Sequence, residues 1–341
     1  MKITFHISQK EVTHYMKEAG QPTMKDVARE AGVALGTVSK VINGLPVGEG
    51  YRKSVEAAIE KLGYRVNNYA RGLKTNKTYC VALLMPSLSH PFYAHLTDAL
   101  TACLMQHDYR SLLMITNYDP EAETKCLILG QQNKVDGVIA LTYNPNLSEI
   151  DTSTPIVTID RHFPGNFSCV SSDNFRGGEL AAEKLMEYGC RKLLFLGIGP
   201  DILGEADKRG PGFETACRRA GADVVQLILN DRDTDAPFYS FLQEHIVGGK
   251  LDFDGIFCKT DWLAVKVCAF LRSRGIRIPE EVQIIGYDGI EDYATRQYSC
   301  STIVQPIRQM AEVAVDLVLH PSAGANVCLP VCYAWGGTTR V

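Results

Sequence analysis

No stretch of the 341-residue chain is apolar over the ~18–20 consecutive positions that a membrane-spanning helix needs. The opening residues, MKITFHISQKEVTHYMKE, carry charge throughout and contain no apolar core. That excludes a secretory leader and makes the cytoplasm the expected location. Paired-cysteine spacing is also missing: eleven cysteines run from Cys80 to Cys332 without one CxxC. An odd count lacking such pairs argues against a disulfide framework or a zinc site. Buried free thiols are expected, including the nearest two, Cys328 and Cys332, which alternate with apolar residues in a strand-like stretch. Gly197-Ile198-Gly199 begins like a dinucleotide loop, but Ile202 stands where the third glycine belongs. His90, His95 and His107 are scattered and read as structural. No catalytic grouping, metal ligand set or cofactor is expected.

What the chain does have is length for two or three domains. At 45% hydrophobic and 22% charged, it can bury a large core. Its net charge of −4 is unevenly spread: residues 1–78 hold 13 Lys+Arg against 7 Asp+Glu, leaving 22 against 32 for the rest. A basic head on an acidic body suggests that the head meets a polyanion and the body does not.

Thr23 can cap a helix, with Asp26 reaching back to it, and Val27, Ala28 and Ala31 give that helix one apolar face. Gly32 supplies a sharp turn. A second helix is predicted from Leu35 to Asn43 with Val38, Val41 and Ile42 inward, and a third from about Tyr51 to Leu62 on Val55, Ala58, Ile59 and Leu62. Three short helices with a glycine turn between the first two describe a helix-turn-helix.

Asp26-Val27-Ala28-Arg29-Glu30-Ala31-Gly32-Val33, followed by Thr37-Val38-Ser39-Lys40-Val41-Ile42-Asn43-Gly44, closely resembles the DNA-binding head of the lactose-repressor family. The resemblance implies that Leu35, Gly36 and Lys40 read base edges in the major groove of double-stranded operator DNA. It implies that Thr37, Ser39 and Asn43 contact phosphates. Ala34 departs from the family, which has Ser or Thr there as a cap, at a cost of about 1 kcal/mol. The polar, basic stretch 65–78 resembles the family's hinge. By that resemblance Leu73 is a minor-groove wedge, flanked by Arg71, Lys74 and Lys77 on phosphates.

From Tyr79 onward, short apolar runs alternate with helical stretches. Strands are predicted at 79–85, 111–116, 137–141, 155–160, 193–197, 223–228, 255–258 and 283–287, with helices at 92–107 and 120–133. Such alternation means parallel sheets covered on both faces, and the span suits two lobes. The expected fold is an all-α helix-turn-helix head plus an α/β, two-lobed, periplasmic-binding-protein-like (type I) body. The domains are an extension at 1–22, the head at 23–64, the hinge at 65–78 and the body at 79–341. By resemblance the chain crosses between lobes near 172, 304 and 325, giving lobe one 79–172 and 305–325 and lobe two 173–304 and 326–341.

Ligands bind where strand C-termini meet at a shared cleft. Matching motifs put Phe92 and Tyr93, Asp160, Arg209, Thr260 and Asp261, and Asp288 in that cleft. A guanidinium and carboxylates there can hold neighbouring hydroxyls while an aromatic face stacks on a ring. The implied effector is a sugar or sugar phosphate, or else a nucleoside or purine. The implied protein is a homodimeric transcriptional repressor that is not an enzyme. A dimer and not a tetramer is expected, because no leucine heptads follow Trp335. Two rivals remain: a solute-binding protein serving a sugar transporter, and a Rossmann-like enzyme. Ahead of the head, Ser8-Gln9-Lys10-Glu11 is a capping box for a short helix at about 9–19. That segment is either functional or the product of an upstream start, with Met16 the natural one.

Overall fold

The computed structural model describes residues 22–42, 44–64, 77–147, 153–199, 204–230, 234–292, 294–322 and 324–341. The extension helix expected at 9–19, Asn43, and Arg71, Leu73 and Lys74 of the hinge lie outside these residues. The chain divides into two compact units, Met1–Asn76 and Lys77–Val341.

In the first unit, α1 (Met24–Ala31), α2 (Leu35–Ile42) and α3 (Glu49–Leu62) form a small bundle. The Asp26 carboxylate accepts the Thr23 backbone N–H at 2.9 Å and its hydroxyl at 2.7 Å. Gly32, at φ 63°, ends α1, and the Val33 N–H returns to the Ala28 carbonyl at 3.0 Å. Val27, Val38 and Val55, one from each helix, are fully buried against Ala28, Val41 and Ala58. Tyr64, which periodicity did not single out, joins them because the turn at Gly63 folds the chain back under α3.

The second unit contains two six-stranded sheets. The first is built from β1 (Cys80–Met85), β2 (Arg110–Ile115), β3 (Gly137–Ala140), β4 (Ile156–Ile159), β5 (Ser168–Ser172) and β13 (Asn326–Leu329), in the order β13-β5-β4-β3-β1-β2, all parallel. Around it lie α4 (Pro91–Gln106), α5 (Pro120–Gln132) and α10 (Ile307–Leu319). The second sheet is β14-β12-β11-β10-β6-β7, from β6 (Lys192–Ile198), β7 (Asp223–Leu229), β10 (Gly255–Cys258), β11 (Gln283–Asp288), β12 (Ser301–Val304) and β14 (Cys332–Ala334). Only β14 in that sheet runs antiparallel to its neighbour. Its helices are α6 (Asn174–Glu187), α7 (Arg209–Arg219), α8 (Ala236–Glu244) and α9 (Asp261–Ser273). A two-residue hairpin, β8 (Ile246–Val247) with β9 (Lys250–Leu251), follows α8. Apolar residues fill both faces of each sheet, with Leu83, Ile139 and Val157 on one face of the first and Ala82, Leu84 and Val138 on the other. That double burial is why the strands read as unbroken apolar runs.

The chain leaves the first sheet after Ser172 and returns after Val304. The last crossing falls between Leu329 and Cys332, later than the 325 expected, because Asn326–Leu329 pairs with β5 and completes the first sheet. The hinge is shorter than expected at its C-terminal end. The Asp136 carboxylate accepts the backbone N–H of Thr78 at 2.8 Å and of Tyr79 at 2.7 Å, so residues 77–78 belong with the body. Lys77 sits 3.5 Å from the Tyr109 hydroxyl. All cysteines are free, but Cys328 and Cys332 are exposed, contrary to expectation, because β13 and β14 are edge strands whose alternate residues face outward.

Helices α6 and α7 cross with almost no space between their backbones. A Cβ on Gly178 would collide with the Arg209 carbonyl, and one on Gly212 with the Phe175 carbonyl. Gly212→Ala is expected to lower body stability by about 1–3 kcal/mol, read as a drop of several degrees in Tm. Gly130→Ala, whose Cβ meets only Val135 Cγ2 at 3.4 Å, should leave Tm unchanged or slightly raised. Equal behaviour of the two variants in thermal denaturation would refute the tight crossing.

Candidate functional site

A cavity of about 310 Å³ opens where the C-terminal ends of the two sheets face each other. The loops after β1, β2, β3 and β4 supply one wall and those after β6, β7, β10 and β11 the other. Of the seven residues the sequence placed there, Phe92, Tyr93, Asp160, Arg209, Thr260 and Asp288 line it.

Arg209, the first residue of α7, is 3% exposed and held from three sides. Its Nε donates to Asn174 Oδ1 at 2.7 Å, its Nη1 donates to the Lys259 carbonyl at 2.7 Å, and its guanidinium lies 3.6 Å from the Tyr287 ring centre. Asp288 Oδ1 is 3.6 Å from Nη1 and accepts the Gln305 amide at 2.8 Å. Asp288 Oδ2 is buried without a hydrogen-bond partner among the described residues. Asp160 lies at φ 55° and Asp288 at φ 126°, left-handed positions that non-glycine residues seldom occupy. Such strain gathers at ligand sites. Burial pushes both carboxyls up, Asp160 to about 6, even though the Arg209 charge pulls each down.

The first-lobe wall is aromatic. Tyr93 and Tyr143 share a hydrogen bond of 3.0 Å between hydroxyls, Tyr118 lies 5.1 Å from Tyr143, and His90 lies 4.8 Å from Tyr93. Across the cleft, Trp262 comes within 6.4 Å of His90 and is 47% exposed, leaving indole face for a ligand. Burial, with the charges of Arg209 and Lys266, pushes the His90 imidazole down to about 4, so it is neutral near pH 7. The structural role expected for His90 is therefore incomplete, since it also lines the cavity. Tyr143 is set by Glu123 of α5, a buried carboxylate that accepts the Tyr143 N–H at 2.8 Å and the Thr142 hydroxyl.

Asp261 does not line the cavity. It sits beneath it, accepting the Ile290 N–H at 2.7 Å and the Cys300 thiol at 3.4 Å, and so braces the loop that follows Asp288. Thr260 is the residue that caps α9, through the Leu263 N–H at 3.2 Å. Adjacent side chains at a helix start point in different directions, so Thr260 and Trp262 reach the cavity while Asp261 between them does not. The sequence reading also missed Tyr118, Tyr143, Trp262, Lys259 and Lys266. Tyr143 and Trp262 follow strand ends closely, so the rule that selected Asp160 could have found them.

On the head, Leu35, Gly36 and Lys40 form an exposed face of α2, while Thr37 and Ser39 are half-buried and Val38 and Val41 point inward. A Cβ on Gly36 would meet nothing, so α2 can approach a flat surface closely there. Ala34 starts α2 with its carbonyl alone, accepting from Thr37 at 2.9 Å.

Asp160 gives a pH test. Its carboxyl is raised in the folded state, so its contribution to stability is complete below about pH 4 and declines as pH rises through about 6. Asp160→Asn, which tolerates the left-handed backbone, should remove that decline. Tm compared at pH 4, 5, 6 and 7 checks it, and parallel profiles for the two proteins would refute it.

Comparison with known proteins follows both units. Residues 23–67 match the bacterial regulatory proteins of the lacI family, and residues 78–318 match the periplasmic binding proteins and sugar binding domain of the LacI family. The sucrose operon repressor of Streptococcus mutans is 32% identical over 318 residues, covering 90% of this chain and 96% of that protein. The ribose operon repressor of Escherichia coli is 30% identical over 307 residues, covering 87% and 92%. In fold, the chain is similar to the Lac repressor dimer bound to operator and the anti-inducer ONPF, with a TM-score of 0.78 at 21% identity, over 94% of this chain and 99% of that one. With both units matched and nearly the full length of these repressors covered, this chain belongs to the LacI family of bacterial regulatory proteins.

Proposed function

We propose that this chain is the repressor of a metabolic operon, working in the cytoplasm as a homodimer whose grip on operator DNA is set by a carbohydrate in the cleft. The observation that carries the reading is the union, in one chain, of an exposed base-reading face on α2 with a cleft walled by aromatic rings and closed by Arg209 and Asp288. Relatives named as repressors of sucrose and ribose operons support a sugar over a purine. The cleft is one for binding, not turnover, and a solute-delivery protein would have no use for the head.

Lys40 is the side chain on that face able to donate to guanine O6 and N7. Thr37, Ser39 and Asn43 would fix register on phosphates, as would Arg71 and Lys74 beside the Leu73 wedge. Lys40→Ala should weaken binding to a near-palindromic operator by about 1–3 kcal/mol and leave binding to random duplex almost unchanged. Fluorescence anisotropy at fixed salt distinguishes the two, and equal losses on both duplexes would make Lys40 a phosphate contact.

The outer strands of the two sheets support the homodimer. Leu113 and Ile115 on β2 and Val225 and Ile228 on β7 are exposed apolar residues on unpaired edges. A twofold pairing through these edges would cover them. The double variant Ile115→Lys, Val225→Lys should sediment as a monomer with an unchanged far-ultraviolet spectrum. A dimer that survives it would place the interface elsewhere.

A further inference from the structure

Among the described residues, the lysines around the cavity are paired within the protein. Lys266 Nζ donates to Asp235 Oδ2 at 2.6 Å. Lys259 Nζ donates to the Ile198 carbonyl at 2.6 Å and pairs with Asp207. Arg209 is spent on Asn174, the Lys259 carbonyl and Asp288. Arg161 lies 4.9 Å from the Tyr143 ring centre, near enough to the buried Glu123 to favour its ionised form. Among the described residues, both lysines on the cavity wall therefore already serve a carboxylate of the protein. A phosphate dianion would have to shed its water and take Lys266 from Asp235 or Lys259 from Asp207, stranding a carboxylate in a part-buried site.

Polar capacity remains open in two other places. Asp288 Oδ2 and His90 Nδ1 are buried atoms of cavity-lining side chains without hydrogen-bond partners among the described residues. A carboxyl oxygen and a neutral imidazole nitrogen each suit a hydroxyl group, which can donate or accept. Burial pushes the Asp288 carboxyl up to about 8 and the His90 imidazole down to about 4, so near pH 7 neither offers a positive charge to attract a phosphate. Beside His90 lie the Tyr93 and Trp262 rings, which also line the cavity and suit the C–H surface of a sugar ring.

We infer that the cleft takes an uncharged polyhydroxylated ligand and rejects its phosphorylated form, with Asp288 Oδ2 and His90 Nδ1 completed by ligand hydroxyls. The inference rests on the carbohydrate reading above and narrows it. Sugar and sugar phosphate, equivalent at the level of the sequence, are separated by the internal pairing of the lysines.

The experiment is isothermal titration calorimetry of the full chain with sucrose, glucose, fructose and ribose, each beside its phosphate ester, and with adenosine and hypoxanthine. At least one free sugar should bind, and its ester at least tenfold more weakly. Asp288→Asn should cost that sugar at least tenfold in affinity. Asp235→Asn, which frees Lys266, should move the ratio of ester to parent affinity toward the ester by several-fold. An ester that binds as tightly as its parent, or a ratio that Asp235→Asn leaves unmoved, overturns the inference and leaves the carbohydrate reading standing. No heat from any sugar in either form, with or without a response to adenosine or hypoxanthine, overturns both.

Discussion

Gln305 makes two contacts that join the cleft to the crossings between lobes. Its amide nitrogen donates to Asp288 Oδ1 at 2.8 Å, and its amide oxygen accepts from the Ser172 hydroxyl at 2.8 Å. Ser172 ends the strand before the first crossing, and Gln305 follows the strand before the second. Asp288 in turn faces Arg209 and the cavity. A ligand bound at Asp288, as proposed above, would therefore act on a side chain already tied to two of the three crossings. Coupling of this kind works in both directions: what alters the crossings alters ligand affinity by the same factor.

The site is costly to maintain, and the surrounding packing makes it affordable. Asp261 and Asp288 are buried and Asp160 is half-buried, and desolvation raises each of them, Asp160 and Asp288 despite the nearby Arg209 guanidinium. Two of them also hold left-handed backbone. Close crossing of α6 and α7 at Gly178 and Gly212 fixes the start of α7 and hence Arg209. The Tyr287 ring and the Asn174 side-chain oxygen Oδ1 then leave the guanidinium little freedom. Preorganisation of this sort lowers the ordering cost when a ligand arrives.

The head follows a simpler logic. Among the described residues, its seven buried side chains are small or aliphatic apart from Tyr64, so the bundle is thin and its helices short. With Val38 and Val41 turned inward, the helical period leaves Leu35, Gly36 and Lys40 outward whatever the exact packing. The exposed face of the second head helix is thus a direct consequence of which residues the core takes.

Much of the architecture follows from local chemistry. The Thr23–Asp26 cap, the glycine turn at Gly32, the apolar strands of both sheets and the polar residues at their ends all rest on neighbours within a few positions. Features that depend on distant partners did not show in the sequence. Ser168–Ser172 reads as polar, yet it is a fully buried strand because Ser322 and Gln305 satisfy two of its hydroxyls. Asn326–Leu329 sits in the first sheet because β5 offers it an edge. Asp261 turns away from the cavity while its neighbour Thr260 turns toward it. A lysine's readiness for phosphate is likewise settled by a carboxylate 31 positions away, as Asp235 does for Lys266. Local backbone preference is written residue by residue. Charge balance in a cleft is a through-space sum, and it exists only once the chain has closed on itself.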